Sequence, residues 1–413
     1  MYPSLRKWLQ VSLFNLLLVS LIGVVLRYKI VFSLPFIDQK YLLHGHSHFA
    51  FAGWISQALM ALLIADLSQK SGKNYFTKYR WVLYANLLTA YGMLTTFPVQ
   101  GYGFFSIVFS TLSVFVSYVF VVLFWKDLKQ ANSKAVSHSW FKMALLCNVV
   151  SSIGPFTLAY MMATKNIHQN WYLTSIYFFL HFQYNGWFFF ACMGLLNRQF
   201  EKYNFPGNTL KRVFQLFAVA FVPTFFFSLL WWPVTGWLYV LVVIAAVCQV
   251  AALLLLIKYI KQHIPLMKKK FTALTKYLFI LCGAALTIKL CLQTGSVIPS
   301  LSKLAFGFRP IVIGYLHLVL LGVISIFIIS YILFLRLIPV NRTTITGILV
   351  FVSGIILNEA LLMIQGMADI NYTGIPLLNP LLLIAAIVLF GGLLILNYGL
   401  KYPQSQASPL TED

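Results

Sequence analysis

The chain has 413 residues, of which 60% are hydrophobic, 17% aromatic and only 9% charged. A soluble domain carries about 25% charged residues, and one globular core cannot hide this much apolar surface, so a soluble fold is excluded and a bilayer is the expected solvent. The formal net charge of +22 sits in short connections between apolar runs. That distribution excludes a nucleic-acid-binding groove and reads as a topology signal.

Twelve apolar runs follow one another at 11–28, 44–67, 81–97, 104–125, 140–162, 171–196, 213–232, 237–259, 277–292, 311–335, 344–364 and 377–400. Most have the roughly 17–25 residues that a helix needs to cross the hydrocarbon. Backbone groups left unpaired there are too costly, so each run is expected to be helical. The predicted fold is an all-α polytopic membrane protein of about twelve transmembrane helices. It forms a single domain over 1–413, with a short polar tail at 401–413. The first run follows Arg6 and Lys7 as in a signal peptide, but no small-residue cleavage site follows, so it is expected to remain as the first span.

Twelve spans place both termini on one side, and the charges test that count. Of the 30 Lys and Arg, Arg27, Lys29, Lys40, Lys165, Lys289, Lys303 and Arg309 lie in odd-numbered connections or inside spans. The other 23, from Arg6 to Lys401 and including Lys134 and Lys268–Lys270, lie at the N-terminus, in even-numbered connections, at the run ends that border them (Lys142 and Lys258) or after the last span. The positive-inside rule then puts both termini in the cytoplasm of a cell inner membrane. The five cysteines, Cys147, Cys192, Cys248, Cys282 and Cys291, form no CxxC and give neither a disulfide framework nor a zinc site.

Ionisable groups inside spans are costly and mark functional candidates. They are His44, His46 and His48 in the second run, His181 in the sixth, His317 in the tenth, Lys289 and Glu359. The second, sixth and tenth runs cross in the same direction. His44–His48 and His317 fall in the first turns of theirs, so they should share a depth. Two imidazoles at matched depth on different helices can grip one planar iron porphyrin from opposite faces. His44 and His48 share a helix face, and His46 points about 200° away. Asn185 lies one helical turn beyond His181 in a polar run that needs partners. Lys289 is expected to snorkel outward, and Glu359 to be a buried protonated acid.

These residues resemble subunit I of the haem–copper oxidase superfamily, which includes nitric oxide reductase. His44-Gly45-His46-Ser47-His48 followed by Gly53-Trp54 is similar to the family's span-two low-spin haem ligand region. His181 with Asn185-Gly186-Trp187 is similar to the reductase pattern His-x-x-x-Glu-Gly, with Asn in place of Glu. Tyr315-Leu316-His317 resembles the span-ten His-x-His pattern. The resemblance implies a low-spin haem b between His317 and one of His48, His44 or His46, with His48 preferred as the deepest. It makes His181 the remaining metal-ligand position. Two departures follow: Tyr315 stands where the family holds its reactive haem, and Trp231-Trp232 before Pro233 replace its span-seven histidine pair. The implied role is electron transfer, or haem or gas sensing, without an oxygen-reducing centre. Membrane lipid and an electron-transfer or assembly subunit are the expected partners. The alternatives are a proton-coupled transporter using Glu359 and Lys289, and an active but unusual oxidase or reductase.

Overall fold

The computed structural model describes residues 3–131, 135–232, 235–267 and 271–402. Lys134, Pro233, Lys268, Lys269, Lys270 and the tail from 403 to 413 lie outside the described residues. Every regular element among the described residues is helical. We number the long rods α1 (Pro3–Val31), α2 (Gln39–Ser71), α3 (Phe76–Gln100), α4 (Phe104–Gln130), α5 (Val136–Ala163), α6 (169–202), α7 (Gly207–Leu229), α8 (Gly236–Pro265), α9 (Ala273–Gly295), α10 (Arg309–Phe334), α11 (Arg342–Ile370) and α12 (Leu378–Gly399).

Eleven of these rods are long and apolar enough to cross a membrane, so the chain is a multi-pass helical membrane protein. The rod outside that set is α6, which covers the predicted run 171–196 without a break. Its lower hydropathy has a structural cause. Residues His181–Phe188 are all buried, and α6 packs on α2 and α5. A helix surrounded by protein on all sides can carry polar groups wherever neighbouring helices bond them.

Local signals set several rod ends. The Asp38 carboxylate accepts from the Tyr41 amide at 2.8 Å and opens α2, and Gly72, at φ +70°, closes it in the left-handed region. Asn341 opens α11 by accepting from the Thr344 amide at 2.8 Å.

Charged side chains tie successive rods together at one end. Asp127 at the end of α4 takes Lys78 and the Tyr79 hydroxyl from the start of α3, each at 2.6 Å. Asp66 of α2 takes Arg198 of α6 at 3.1 Å. Glu201 of α6 accepts from the Ser137 amide of α5 at 2.8 Å. The ends of α2, α4 and α6 therefore meet the starts of α3 and α5, as an up-and-down bundle requires.

The closest helix pair is α11 with α12. A Cβ built at Gly347 would stand 2.3 Å from the Leu396 nitrogen, and one at Gly392 would stand 2.3 Å from the Phe351 nitrogen. Gly354 and Gly399 meet opposing backbone in the same way. Small residues let membrane helices approach backbone to backbone, where dispersion and weak polar contacts replace the hydrophobic effect. Gly391, one residue from Gly392, meets nothing within 4 Å. Gly392→Val should therefore destabilise the folded protein by roughly 1–3 kcal/mol through forced separation of backbones, while Gly391→Ala leaves stability within about 1 kcal/mol of wild type. Unfolding in mixed micelles with rising SDS measures both, and equal losses in the two variants would contradict the packing.

Candidate functional site

Three rods widen locally into π-helix: α2 at Ala50–Ser56, α6 at His181–Phe188 and α10 at Leu318–Ser325. Each wide segment begins at a histidine or within two residues of one. A π turn takes up an extra residue, changes the facing of the side chains beyond it, and is frequent at functional sites.

Wide turns loosen the carbonyl ladder, so inside a membrane other groups must bond the freed oxygens. Asn15 of α1 donates to the Gly53 carbonyl at 2.6 Å, and Asn86 of α3 donates to that of Ala52 at 3.0 Å. Cys282 of α9 donates to the Val323 carbonyl at 3.3 Å. The wide segments also bond one another. The Trp54 indole, 1% exposed, donates to the Ser325 hydroxyl at 2.9 Å, and that hydroxyl donates to the Leu320 carbonyl at 2.8 Å. The Trp187 indole donates to the Ser56 hydroxyl at 3.3 Å. α2, α6 and α10 are thereby locked at one level.

The three histidines of α2 divide between two faces. His48 stacks on Phe97 of α3, with ring centres 4.5 Å apart and planes within 5° of parallel. His44 packs edge-on against Tyr102 at 4.7 Å. His46 turns the other way, toward α1, where its ring lies over Gly23. His46 is also the α2 histidine near enough to His317 for their charges to interact.

His317 Nδ1 donates to the Ile313 carbonyl at 2.8 Å, which fixes the tautomer and leaves the Nε2 lone pair free. The His46 Nδ1 is buried with no hydrogen-bond partner. No residue of Arg309–His317 is buried, so this first third of α10 keeps accessible surface around it although α11 lies alongside. Arg27 of α1 stands within electrostatic range of His317. Sequence reasoning passed over Arg27, although it is one of the few cations off the basic side.

His181 is placed differently. Its Nε2 donates to the Phe221 carbonyl of α7 at 3.0 Å, and its Nδ1 accepts from Asn185 at 3.2 Å. Both ring nitrogens are engaged by protein, so in this arrangement His181 joins helices and offers no lone pair to a metal. Gln183 donates to Asn148 and Ser151 of α5 at 3.1 and 2.8 Å, which satisfies the rest of the polar run. Tyr315 of α10 faces Tyr184 of α6, ring centres 6.4 Å apart. Trp232 packs on Trp171, and the Trp231 indole donates to the Ser228 carbonyl.

One expectation changes. Lys289 does not snorkel: it is 6% exposed and faces the interior. Glu359 is half-buried, and its carboxylate accepts from Asn358 at 3.1 Å. Among the described residues neither Lys289 nor Glu359 pairs with the other, and no three His, Cys, Asp or Glu side chains form a metal-binding group.

No protein-family model matches the chain, and no curated protein matches it in sequence.

The bond between Trp54 and Ser325 yields a direct test. Ser325→Ala leaves a buried indole N–H without its acceptor, and a double-mutant cycle with Trp54→Phe should give a coupling of about 0.6–1.7 kcal/mol, as for hydrogen bonds between membrane helices. SDS unfolding of the four proteins measures the coupling, and strictly additive losses would contradict the bond.

Proposed function

We propose that the chain is a membrane haem protein with the bundle architecture of haem–copper oxidase subunit I, holding one low-spin haem b between His46 of α2 and His317 of α10. The observation that carries this reading is that these two imidazoles, on two rods with wide turns, are near enough for their charges to interact and each keeps a ring nitrogen free of protein partners. His317 gives its Nδ1 to a backbone carbonyl and keeps a lone pair on Nε2. Ligating histidines are oriented in this way, because a bonded second nitrogen fixes the ring and raises its basicity.

The remaining residues fit the same group. The Ile313 carbonyl orients the His317 ring. Arg27 supplies positive charge for the carboxylates at a porphyrin's edge. The accessible surface along Arg309–His317 suits a flat apolar ligand. When bound, a haem with two imidazole ligands supplies reversible one-electron chemistry. Tyr315 and Trp231-Trp232 occupy the positions where the family carries its reactive-haem ligand and metal-binding pair. The reading therefore stops at electron transfer, or haem or gas sensing.

In this reading the basic end of the bundle faces the cytoplasm, with both termini, and the membrane is the cell inner membrane. His46 and His317 then lie toward the opposite leaflet, and a redox or assembly subunit is the expected partner.

Reduced-minus-oxidised spectra of the purified protein test the proposal. Wild type should show a low-spin b-type signal. His46→Ala and His317→Ala should each lose it, while His44→Ala and His48→Ala keep it. A colourless protein, or a haem signal that survives His317→Ala, would overturn the reading.

A further inference from the structure

We infer that the bundle holds a second site, at Lys289, for one small inorganic anion of halide size. The site lies among α6, α7, α8 and α9 and is independent of the haem reading. Its polar lining is Lys289, Gln249 and Asn185, set in a wall of phenylalanines from α6 and α7 and leucines from α9.

Two observations point to a ligand. Lys289 is 6% exposed and Gln249 7% exposed. Neither side chain forms a hydrogen bond or ion pair among the described residues, although both line the same cavity. Two unpartnered donors, one of them a lysine amine, therefore converge on one small space. The neighbouring His181 and Asn185 bond each other. Of the chain's eight acidic residues, Asp66, Asp127, Glu201 and Glu359 are engaged elsewhere.

A buried ammonium without a counter-charge is among the costliest groups a protein can carry, so it sheds its proton or takes up a counter-ion. With those four carboxylates engaged elsewhere, an anion entering together with a proton keeps the site balanced. Size then selects the ligand. The space open to the centre of a water-sized sphere is about 10 Å³, enough for one water-sized species. Organic acids and nucleotides are too large, whereas chloride and bromide fit. Lys289 would supply the charge and the Gln249 amide a directional N–H.

Binding of radioactive chloride to the purified full-length protein tests the inference. Wild type should show one saturable site per chain, displaced by bromide and not by gluconate. Lys289→Met, isosteric and uncharged, should abolish it. Gln249→Leu, which keeps the charge, should weaken it by about tenfold, the worth of one charge-assisted hydrogen bond. The absence of saturable chloride binding in wild type overturns the site, as does unchanged affinity in Lys289→Met. Should Lys289→Met fail to fold, Gln249→Leu decides, and unchanged affinity there also overturns the site.

Discussion

Inside a bilayer a backbone carbonyl released from its helix has no water to turn to, and this governs the centre of the molecule. Three rods depart from α-helical winding, and the wide turns of α2 and α10 have carbonyls served from outside their own helix. Asn15, Asn86 and Cys282 reach across from α1, α3 and α9 to do so. The tryptophan–serine bonds then hold the wide turns against one another. Removal of any of these partners leaves a polar atom stranded in an apolar interior, so the helices around the centre depend on one another.

That mutual dependence gives the histidines their positions. His46 lies four residues and His317 one residue before the wide turn of its rod. The two rods are fixed in level by the bond between Trp54 and Ser325. The His317 Nδ1 rests on a carbonyl of α10, so that ring is oriented before any ligand arrives. His181 stands at the equivalent place in α6 but spends both nitrogens on Phe221 and Asn185. The same wide turn therefore yields a candidate ligand on two rods and a helix clamp on the third.

Hydropathy revealed most of this bundle. The apolar runs coincide with rods to within several residues, because the cost of exposing backbone to lipid leaves little freedom. The spacing of His44, His46 and His48 also correctly assigned two of them to one face and the third to the other. Depth pointed to His48, whereas the proposal takes His46 on the face toward α1, because a single sequence does not record rotation about a rod. The wide turns were illegible for a related reason: they break the 3.6-residue period on which pattern reading rests. Lys289 was misread because snorkelling is the general habit of lysine near a span end, and only the packing of α6 to α9 shows it turned inward. Arg27 was hidden among loop cations until its nearness to His317 gave it a place.

The proposed haem site requires that His46 and His317, on rods widened at 50–56 and 318–325, open onto one common space. A side-chain-resolution map of the purified protein in a lipid nanodisc, obtained by electron cryomicroscopy, tests it most directly. The account predicts widened turns at 50–56 and 318–325, with both imidazoles directed into the same interval between the rods. Regular α-helix through those segments, or His46 turned to the lipid, would contradict it.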